Sequence, residues 1–373
     1  MASEKRPDLV WAGEYYNPTG YGEESRGFIG VLDRGLFNLR IIAKFYGRVE
    51  GILTSEQEVR LALLESTPVD IAKAVIVQHR AAFQFDHDLR GRVNIGRTMF
   101  ETDRIPEDWV LQCGLMDEIW VPSSFNIETF NRSGVTLDRL RVVPGGVDTD
   151  AYHPAAPALE LGKRNGFFFL SVFDWTDRKG WDFLLTAYYD EFKPDEDVML
   201  LIKTHRYCIP GSISSEFNQF VKNRIARGQR SFPRVRILEC DVPGRSMPGL
   251  YTACDAFALP SRGESWGRPY AEAMACGLPV IGTRWGGNLD FMNDENSYLI
   301  DLQGLEDVPG NVLLYTGHQW ARPSVEHLRY LMRHVFEHRQ EARARGMKAR
   351  EDVCREWTWE HAASAVLREL AKY

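Results

Sequence analysis

The stretch CDAFALPSRGESWGRPYAEAMACGLPVIGTRWGGN, residues 254–288, decides how the chain folds. The apolar run that ends at Pro260 is typical of a short buried strand in a parallel sheet. Pro269 stands where a helix can begin, because a first turn does not need its missing N–H, and Gly277 is placed to end that helix. A second apolar run and a Gly-Gly turn follow. The stretch therefore predicts strand, loop, helix, strand and glycine turn, a unit of a doubly wound α/β fold.

Two carboxylates stand in this stretch, Glu264 in the loop before the helix and Glu272 in its first turn, with seven residues between them. Gly267 lies just ahead of the helix, whose free N–H groups and positive dipole end form an anion site. A carboxylate facing a phosphate would repel it, but it accepts hydrogen bonds from vicinal hydroxyls, as on a ribose. An anion site with a carboxylate on either side therefore fits a ligand with a phosphate between two hydroxyl-bearing rings, which is a nucleotide-sugar. The alternative is an ordinary helix start with Glu264 in solvent.

Residues 260–281, PSRGESWGRPYAEAMACGLPVI, closely resemble the signature of the retaining nucleotide-sugar glycosyltransferases of GT-B family 4, the glycosyl transferases group 1. That signature is Glu, seven residues, Glu, then Ala-Met-Ala-x-Gly-x-Pro-Val and a Gly-Gly turn. The resemblance implies that Glu264 contacts the donor sugar and that Glu272 contacts the ribose. Trp266 stands where the family more often has Phe. Further donor-binding residues are expected beside the two carboxylates: Ser265, Trp266, Gly267 and Arg268.

The resemblance implies an α/β protein of the GT-B fold, with two Rossmann-like doubly wound domains facing a cleft. A chain of 373 residues accommodates two domains of ordinary size. We expect an acceptor-side domain at 1–155, a nucleotide-sugar donor-binding domain at 156–355, and a terminal helix at 356–373 that returns to the first domain. The Pro- and Gly-containing segment 154–165 is interpreted as the linker.

The composition argues against several classes of protein. A net charge of −7 and a pI near 5.8 do not fit a general nucleic-acid binder, and the basic run 222–236 is interpreted as a solvated helix face and loop, with a polyanionic or membrane partner as the alternative. The N-terminus lacks the apolar region of a signal peptide, and no apolar run reaches membrane-spanning length. We therefore expect a cytoplasmic protein with at most peripheral membrane contact. The cysteines show no zinc spacing, which favours buried thiols: positions 113, 208, 240, 254, 276 and 354.

The N-terminal half opens with a predicted strand at 9–12, a loop that contains Gly20 and Gly22, and a helix from about Glu24 to Leu36. This order is the opening of a doubly wound fold. It is not a full dinucleotide-binding fingerprint, because the third glycine is missing. The resemblance implies instead that the two glycines face the donor phosphates.

Polar side chains follow two further predicted strands, 74–77 and 94–100. Because ligands of open α/β sheets gather at the carboxyl ends of strands, His79, Arg80 and Glu101 are candidates for the site. A hydrogen-bonded structural histidine is the simpler interpretation of His79. Many family members have a His at the end of the second of these strands. Here Glu101 takes that place and becomes a catalytic candidate.

In the C-terminal half, Arg178 and Lys179 stand at the turn after a strongly apolar predicted strand, 167–172, where they are placed for a pyrophosphate. Lys179 matches the family's Lys-Gly, whereas Asp174 occupies the position of its usual Arg, and we expect Arg178 to supply that charge. A solvated basic pair is the alternative. After the predicted strand 235–238, Glu239 begins the loop that receives the nucleotide base in the family.

Together with the resemblance, these residues imply retaining transfer of a hexose, with UDP-glucose as the first choice of donor, in polysaccharide or glycoconjugate assembly. The acceptor is an unknown sugar, lipid-linked or small molecule. No metal or other cofactor is expected, and the pair Asp148 and Asp150, which resembles a metal-binding pattern of another glycosyltransferase fold, is interpreted as structural. A GDP-mannose-dependent enzyme, a sugar-nucleotide epimerase, a pyridoxal phosphate phosphorylase and a silent binding subunit remain alternatives. The catalytic candidates are Glu264, Lys179, Arg178 and Glu101.

Overall fold

The computed structural model describes residues 6–44, 47–162, 166–206, 212–240 and 242–373. The chain divides into two compact units. The first contains residues 1–148, 307–319 and 355–373, and the second contains residues 149–306 and 320–354. The domain boundaries expected after residues 155 and 355 stay predictions.

The first unit is built on a parallel six-stranded sheet in the order β2-β1-β3-β4-β5-β6. Its main core packs Trp11, Phe28 and Trp120 together with apolar side chains of the last helix of the chain. The strands are β1 (Asp8–Gly13), β2 (Asn38–Ala43), β3 (Val75–His79), β4 (Val93–Arg97), β5 (Glu118–Val121) and β6 (Leu140–Val142), and the helices between them are α1 (Gly20–Leu32), α2 (Ser55–Glu65), α3 (Glu107–Gly114) and α4 (Ser124–Ser133).

The second unit carries a parallel six-stranded sheet in the order β12-β11-β10-β7-β8-β9. Its strands are β7 (Phe167–Asp174), β8 (Val198–His205), β9 (Arg234–Glu239), β10 (Ala256–Leu259), β11 (Val280–Thr283) and β12 (Tyr298–Ile300). A two-stranded sheet follows, β13 (Leu302–Asp307) with β14 (Gln319–Pro323). The helices are α5 (Trp181–Glu191), α6 (Ile213–Ala226), α7 (Met247–Thr252), α8 (Arg268–Ala275), α9 (Val325–Glu337) and α10 (Arg339–Glu356), and α11 (Trp359–Leu370) returns the chain to the first unit.

The strand order of the second sheet reverses between β7 and β10, because the chain winds outward from β7 in one direction and from β10 in the other. In doubly wound sheets, ligands bind beyond the carboxyl ends of the two strands on either side of such a switch point. The turns after β7 and β10 therefore mark the expected ligand edge of this unit.

The predicted α/β class is confirmed, and the differences from the predicted elements have local causes. Helix α1 begins at Gly20 because Thr19 caps it, accepting a bond from the N–H of Gly22 at 3.1 Å. Two helices, α9 and α10, follow β14 in direct succession. The pair β13–β14 was not predicted, because its strands are short and largely polar.

A buried ion pair ties α1 to β4 inside the first unit. Arg97 Nη2 donates to Glu24 Oε2 at 2.8 Å, and His79 Nε2 lies 3.4 Å from the same oxygen. All three side chains are almost completely buried. Burial raises the pKa of Glu24, but Arg97 and His79 outweigh it, and that pKa falls to about 2. Burial, with help from Arg97, lowers the pKa of His79 to about 4.

We expect this network to make the protein sensitive to acid. Below about pH 6.5, the ordinary pKa, the unfolded chain protonates His79 while the folded chain holds it neutral down to about pH 4. Stability is therefore lost as the pH falls through this window, by about 3 kcal/mol. Glu24 adds a loss between about pH 4.5 and 2, because its pKa is lowered on folding.

Urea unfolding at pH 7, 6, 5 and 4 measures this loss. His79→Gln should flatten the decline between pH 6.5 and 4, whereas His338→Gln, at an exposed position, should leave it in place. An equally steep decline in the His79→Gln variant would show that another group is responsible.

Candidate functional site

The turn between β7 and α5 carries the two predicted phosphate ligands. Residues 177–179 form one turn of 3₁₀ helix, which Gly180 ends with a φ of 67°. A Cβ atom on Gly180 would stand 2.0 Å from the carbonyl oxygen of Pro260, so only glycine lets this turn lie against the end of β10. The turn thereby brings Lys179 to the loop that follows β10.

Lys179 and Glu264 form a buried ion pair between these two loops. Lys179 Nζ lies 2.6 Å from Glu264 Oε1, and the two residues are 8% and 6% exposed. Arg178 Nη1 lies 3.7 Å from the same oxygen and donates to the carbonyl of Gly263 at 2.7 Å. Burial raises the pKa of Glu264, but the two cations outweigh it and hold that pKa below its ordinary value. Glu264 is therefore ionised at neutral pH and can accept further hydrogen bonds.

The backbone of the loop after β10 is fixed by hydrogen bonds from two neighbouring elements. The Tyr270 hydroxyl of α8 donates to the carbonyl of Leu259 at 2.6 Å. The Thr283 hydroxyl of β11 donates to the carbonyl of Ser261 at 2.7 Å. These bonds fix the backbone just before Glu264, as a preorganised site requires.

The Gly-Gly turn predicted from the sequence, Gly286–Gly287, packs against the backbone of Glu264. The N–H of Gly287 donates to the carbonyl of Glu264 at 2.7 Å. Gly286 has a φ of 111°, and a Cβ atom there would lie 2.8 Å from that same carbonyl oxygen. Gly286 is therefore needed because the backbone approaches Glu264 too closely for a side chain at this position.

Glu272 is oriented by two donors on α7 and α8. The Tyr251 hydroxyl lies 2.7 Å from Glu272 Oε2, and Arg268 Nη2 lies 2.8 Å from Oε1. Burial, and then Glu272 itself, raise the pKa of Tyr251 well above its ordinary value, so this hydroxyl stays a donor. Helix α8 begins after Gly267, which has a φ of 93° and no side chain to cap the first turn. The roles of Glu272 and Gly267 in donor binding stay predictions.

Asp174, which stands where the resemblance leads us to expect an Arg, lies at the end of β7. Burial raises its pKa, and four neighbouring cations oppose that rise without cancelling it. His205 of β8 has its Nε2 3.9 Å from Asp174 Oδ1. Two of these cations, Lys179 and Arg178, follow β7. The other two, Arg206 and Lys203, belong to the end of β8, and the predictions from the sequence did not include their charge.

The remaining predicted donor ligands of this unit occupy different environments. Ser265 and Trp266 are 3% and 2% exposed, and the Trp266 ring packs 5.2 Å from that of Phe291. Glu239 is exposed at the carboxyl end of β9. Asp241, two residues further along the sequence and a second candidate acceptor for a nucleotide base, lies outside the described residues. The roles assigned to these side chains stay predictions.

The predicted site residues of the first unit lie at the carboxyl ends of its own strands. Gly20 begins α1, and a Cβ atom on Gly22 would meet the side-chain and main-chain oxygens of Asn17 at 2.5 and 2.6 Å. Glu101 follows β4, where its Oε2 accepts a bond of 2.7 Å from the hydroxyl of Tyr315 in the segment 307–319. That tyrosine was not singled out in the sequence, because it lies 214 residues away from Glu101.

Arg262 is the second residue that the sequence analysis missed. It is 8% exposed, and its guanidinium donates two bonds of 2.8 Å to the carboxylate of Asp182 and one of 2.8 Å to Glu306. The only available signal was its place between the end of a buried strand and Glu264, where a buried cation is not expected.

No group of three His, Cys, Asp or Glu side chains within the described part of the chain is arranged to hold a metal ion. Among the same residues, no helix combines the length and apolar character needed to cross a bilayer.

Part of the chain is similar to known sequences. Residues 164–308 match the family model described as Glycosyl transferases group 1. A D-inositol 3-phosphate glycosyltransferase of Xylanimonas cellulosilytica is 32% identical over 180 residues, which are 45% of this chain and 40% of that protein. Spore coat protein SA of Bacillus subtilis is 29% identical over 177 residues, 43% of this chain and 45% of that protein. The chain thus matches less than half the length of these curated relatives.

Solved structures show the same fold over nearly the whole chain. The crystal structure of Anabaena HepE in complex with UDP and glucose has a TM-score of 0.69 at 14% identity and covers 99% of this chain and 100% of that one. WaaG, a glycosyltransferase involved in lipopolysaccharide biosynthesis, has a TM-score of 0.64 at 13% identity, with 96% and 98% covered. The chain therefore has the GT-B fold, and its residues 164–308 are similar to the glycosyl transferases group 1.

Proposed function

We propose that the protein is a retaining, metal-independent glycosyltransferase that moves a hexose from a nucleotide-sugar to an acceptor hydroxyl. The observation that carries this proposal is the buried Lys179–Glu264 pair at the switch point between β7 and β10. A carboxylate next to a cation at this place provides an acceptor for sugar hydroxyls beside a partner for a phosphate.

In the proposed reaction the bond between the anomeric carbon and the diphosphate breaks, and the acceptor oxygen forms a new bond to that carbon. The departing diphosphate gains negative charge, which Lys179, Arg178 and the N-terminus of α8 stabilise without having to reorganise. The acceptor hydroxyl gives its proton to the leaving phosphate. Attack from the face that the phosphate leaves gives retention, as the family resemblance implies.

UDP-glucose is the first choice of donor. HepE, a protein of the same fold, has been crystallised with UDP-glucose, which supports the choice by analogy of fold alone. GDP-mannose is the second candidate, because the exposed Glu239 at the end of β9 is a possible acceptor for the N1–H and 2-amino groups of guanine. The acceptor is a sugar, lipid-linked or small-molecule hydroxyl.

Calorimetric titration with UDP and GDP tests the base. We expect UDP to bind at least as tightly as GDP, because main-chain groups near Glu239 are proposed to bind uracil. Binding of GDP at least about tenfold tighter, or 1.4 kcal/mol, would replace UDP-glucose with GDP-mannose as the donor. Failure of both nucleotides to bind would contradict the proposed function itself.

Transfer is expected to persist in EDTA, because the diphosphate is neutralised by Lys179 and Arg178 rather than by a divalent cation. The assay compares product formation after dialysis against chelator with product formation in added manganese or magnesium. Loss of transfer in chelator, restored by either ion, would contradict metal independence and make Asp148 and Asp150 the candidate metal ligands.

Incubation of the donor without acceptor separates transfer from epimerisation. An epimerase of this fold would isomerise the donor, whereas the proposed transferase should at most hydrolyse it slowly. Product analysis by mass spectrometry and NMR then tests the linkage. A β-linked glucoside from an α-linked donor would contradict retention.

A further inference from the structure

Arg262 connects three segments of the second unit: the loop after β10, the start of α5, and β13. Its guanidinium holds Asp182 in the first turn of α5 through two parallel bonds of 2.8 Å, and its Nε donates to Glu306 of β13 at 2.8 Å. The aromatic ring of Phe183 lies under the guanidinium, 4.2 Å from ring centre to Cζ. The loop after β10 is thus tied to α5 and to β13 by one side chain.

Further bonds of Arg262 reach the turn that carries the predicted phosphate ligands. Its Nη1 donates to the carbonyl of Asp177 at 2.6 Å, and its own N–H donates to the carbonyl of Arg178 at 2.6 Å. Its carbonyl accepts the N–H of Ala321 in β14 at 2.8 Å. The two carbonyls of the turn belong to the residues immediately before Lys179, so these bonds fix the backbone from which that side chain extends.

We propose that Arg262 is a positioning residue that sets the geometry of the Lys179–Glu264 pair. It holds the turn 177–179 against the loop 260–264 and so places the cation and the carboxylate at their separation of 2.6 Å. This inference rests on the proposed function, because the pair matters only if it acts on a donor.

The chemistry of arginine explains the choice of residue at this position. A planar guanidinium makes two parallel bonds to one carboxylate and still has donors for main-chain carbonyls, whereas an ammonium group is a single point of charge. A displacement of about 1 Å at reacting groups costs on the order of 100-fold in rate. Loss of this fork, the pair of parallel bonds from the guanidinium to Asp182, should therefore reduce turnover even in a variant that folds normally.

The test measures nucleoside diphosphate release by the full chain, with kcat and KM for the donor determined separately. Arg262→Met should lower kcat by roughly 30- to 100-fold while KM changes less than about threefold, since Glu272 and the N-terminus of α8 still bind the nucleotide. Arg262→Lys should recover only part of that loss, because it keeps the charge but not the fork.

Arg333 offers a matched control in the same unit. It too binds two carboxylates, Glu191 and Glu196, and stacks on aromatic rings, and none of its partners carries the proposed chemistry. Arg333→Met should lower the thermal midpoint about as much as Arg262→Met and leave kcat within about twofold of the wild type. Equal kcat values for the two variants, corrected for the folded fraction, would overturn the positioning role.

Asp182→Asn keeps the inference testable if Arg262→Met does not fold. It weakens the fork without burying an unpaired charge, and we expect kcat to fall by roughly tenfold at nearly constant KM. An unchanged kcat in this variant would contradict the proposal. If the wild type neither binds nor releases a nucleoside diphosphate, the proposed function is wrong. If the wild type is active and the Arg262 and Asp182 variants have the same kcat as the wild type, only the positioning role is wrong.

Discussion

Replacing Lys179 by alanine is expected to lower the rate of sugar transfer by roughly two to three orders of magnitude, the usual effect of removing one preorganised electrostatic donor. Lys179 Nζ is held 2.6 Å from Glu264 in a buried setting, so its charge is available without reorganisation when the diphosphate departs. Single-turnover kinetics with saturating donor measures the chemical step. Arg178→Ala should cause a loss of the same order if its guanidinium replaces the cation missing at Asp174.

The Lys179→Ala variant also leaves Glu264 buried next to a single, more distant cation, and breaking a buried pair destabilises a protein by about 3–5 kcal/mol. The double variant Lys179→Met/Glu264→Gln removes both charges and should regain most of that stability without regaining rate. Lys348→Ala is a matched control, because Lys348 Nζ binds the buried Asp352 at 2.7 Å in the same unit. A Lys179→Ala rate within about threefold of this control would contradict the assignment.

The second large effect concerns the two carboxylates Glu264 and Glu272, whose replacement should affect different steps. Glu272→Ala should weaken nucleoside diphosphate binding, because this carboxylate, which Tyr251 and Arg268 hold in place, is proposed to accept hydrogen bonds from the ribose hydroxyls. Glu264→Ala should mainly lower kcat, by roughly 100-fold, because it is proposed to contact the sugar whose charge changes in the transition state. Calorimetry with the nucleoside diphosphate and steady-state kinetics measure the two effects.

Glu341 provides the control for both variants. Its carboxylate accepts bonds from the Tyr298 hydroxyl and from His334, outside the proposed site, so Glu341→Ala removes a tyrosine-held carboxylate without touching the donor. Similar nucleotide affinity and near-normal turnover in the Glu264→Ala and Glu272→Ala variants would reject the assigned roles. A loss in Glu341→Ala as large as theirs would point to a general effect on folding.

Local sequence signals predicted the elements around the site because the causes of those elements are themselves local. The apolar run before Pro260 forms β10, and the helix expected after Pro269 is α8. The glycine turn at 286–287 was also visible, since a paired glycine marks a turn or a close backbone approach. Its partner, the carbonyl of Glu264, was not visible, because that contact depends on where two loops meet.

The sequence by itself determined the α/β class, the parallel strands of the second sheet, and the identity of Glu264, Glu272 and Lys179 as the residues to examine. Only the tertiary structure decided which of them meet. Lys179 and Glu264 are 85 residues apart and pair because β7 and β10 are neighbours at the switch point, which brings their carboxyl ends to one edge. The same long-range pairing joins Arg262 to Asp182 and Glu306, and Glu101 to Tyr315. Such contacts leave no periodic trace in a single chain, because they are set by strand order and by the packing of loops.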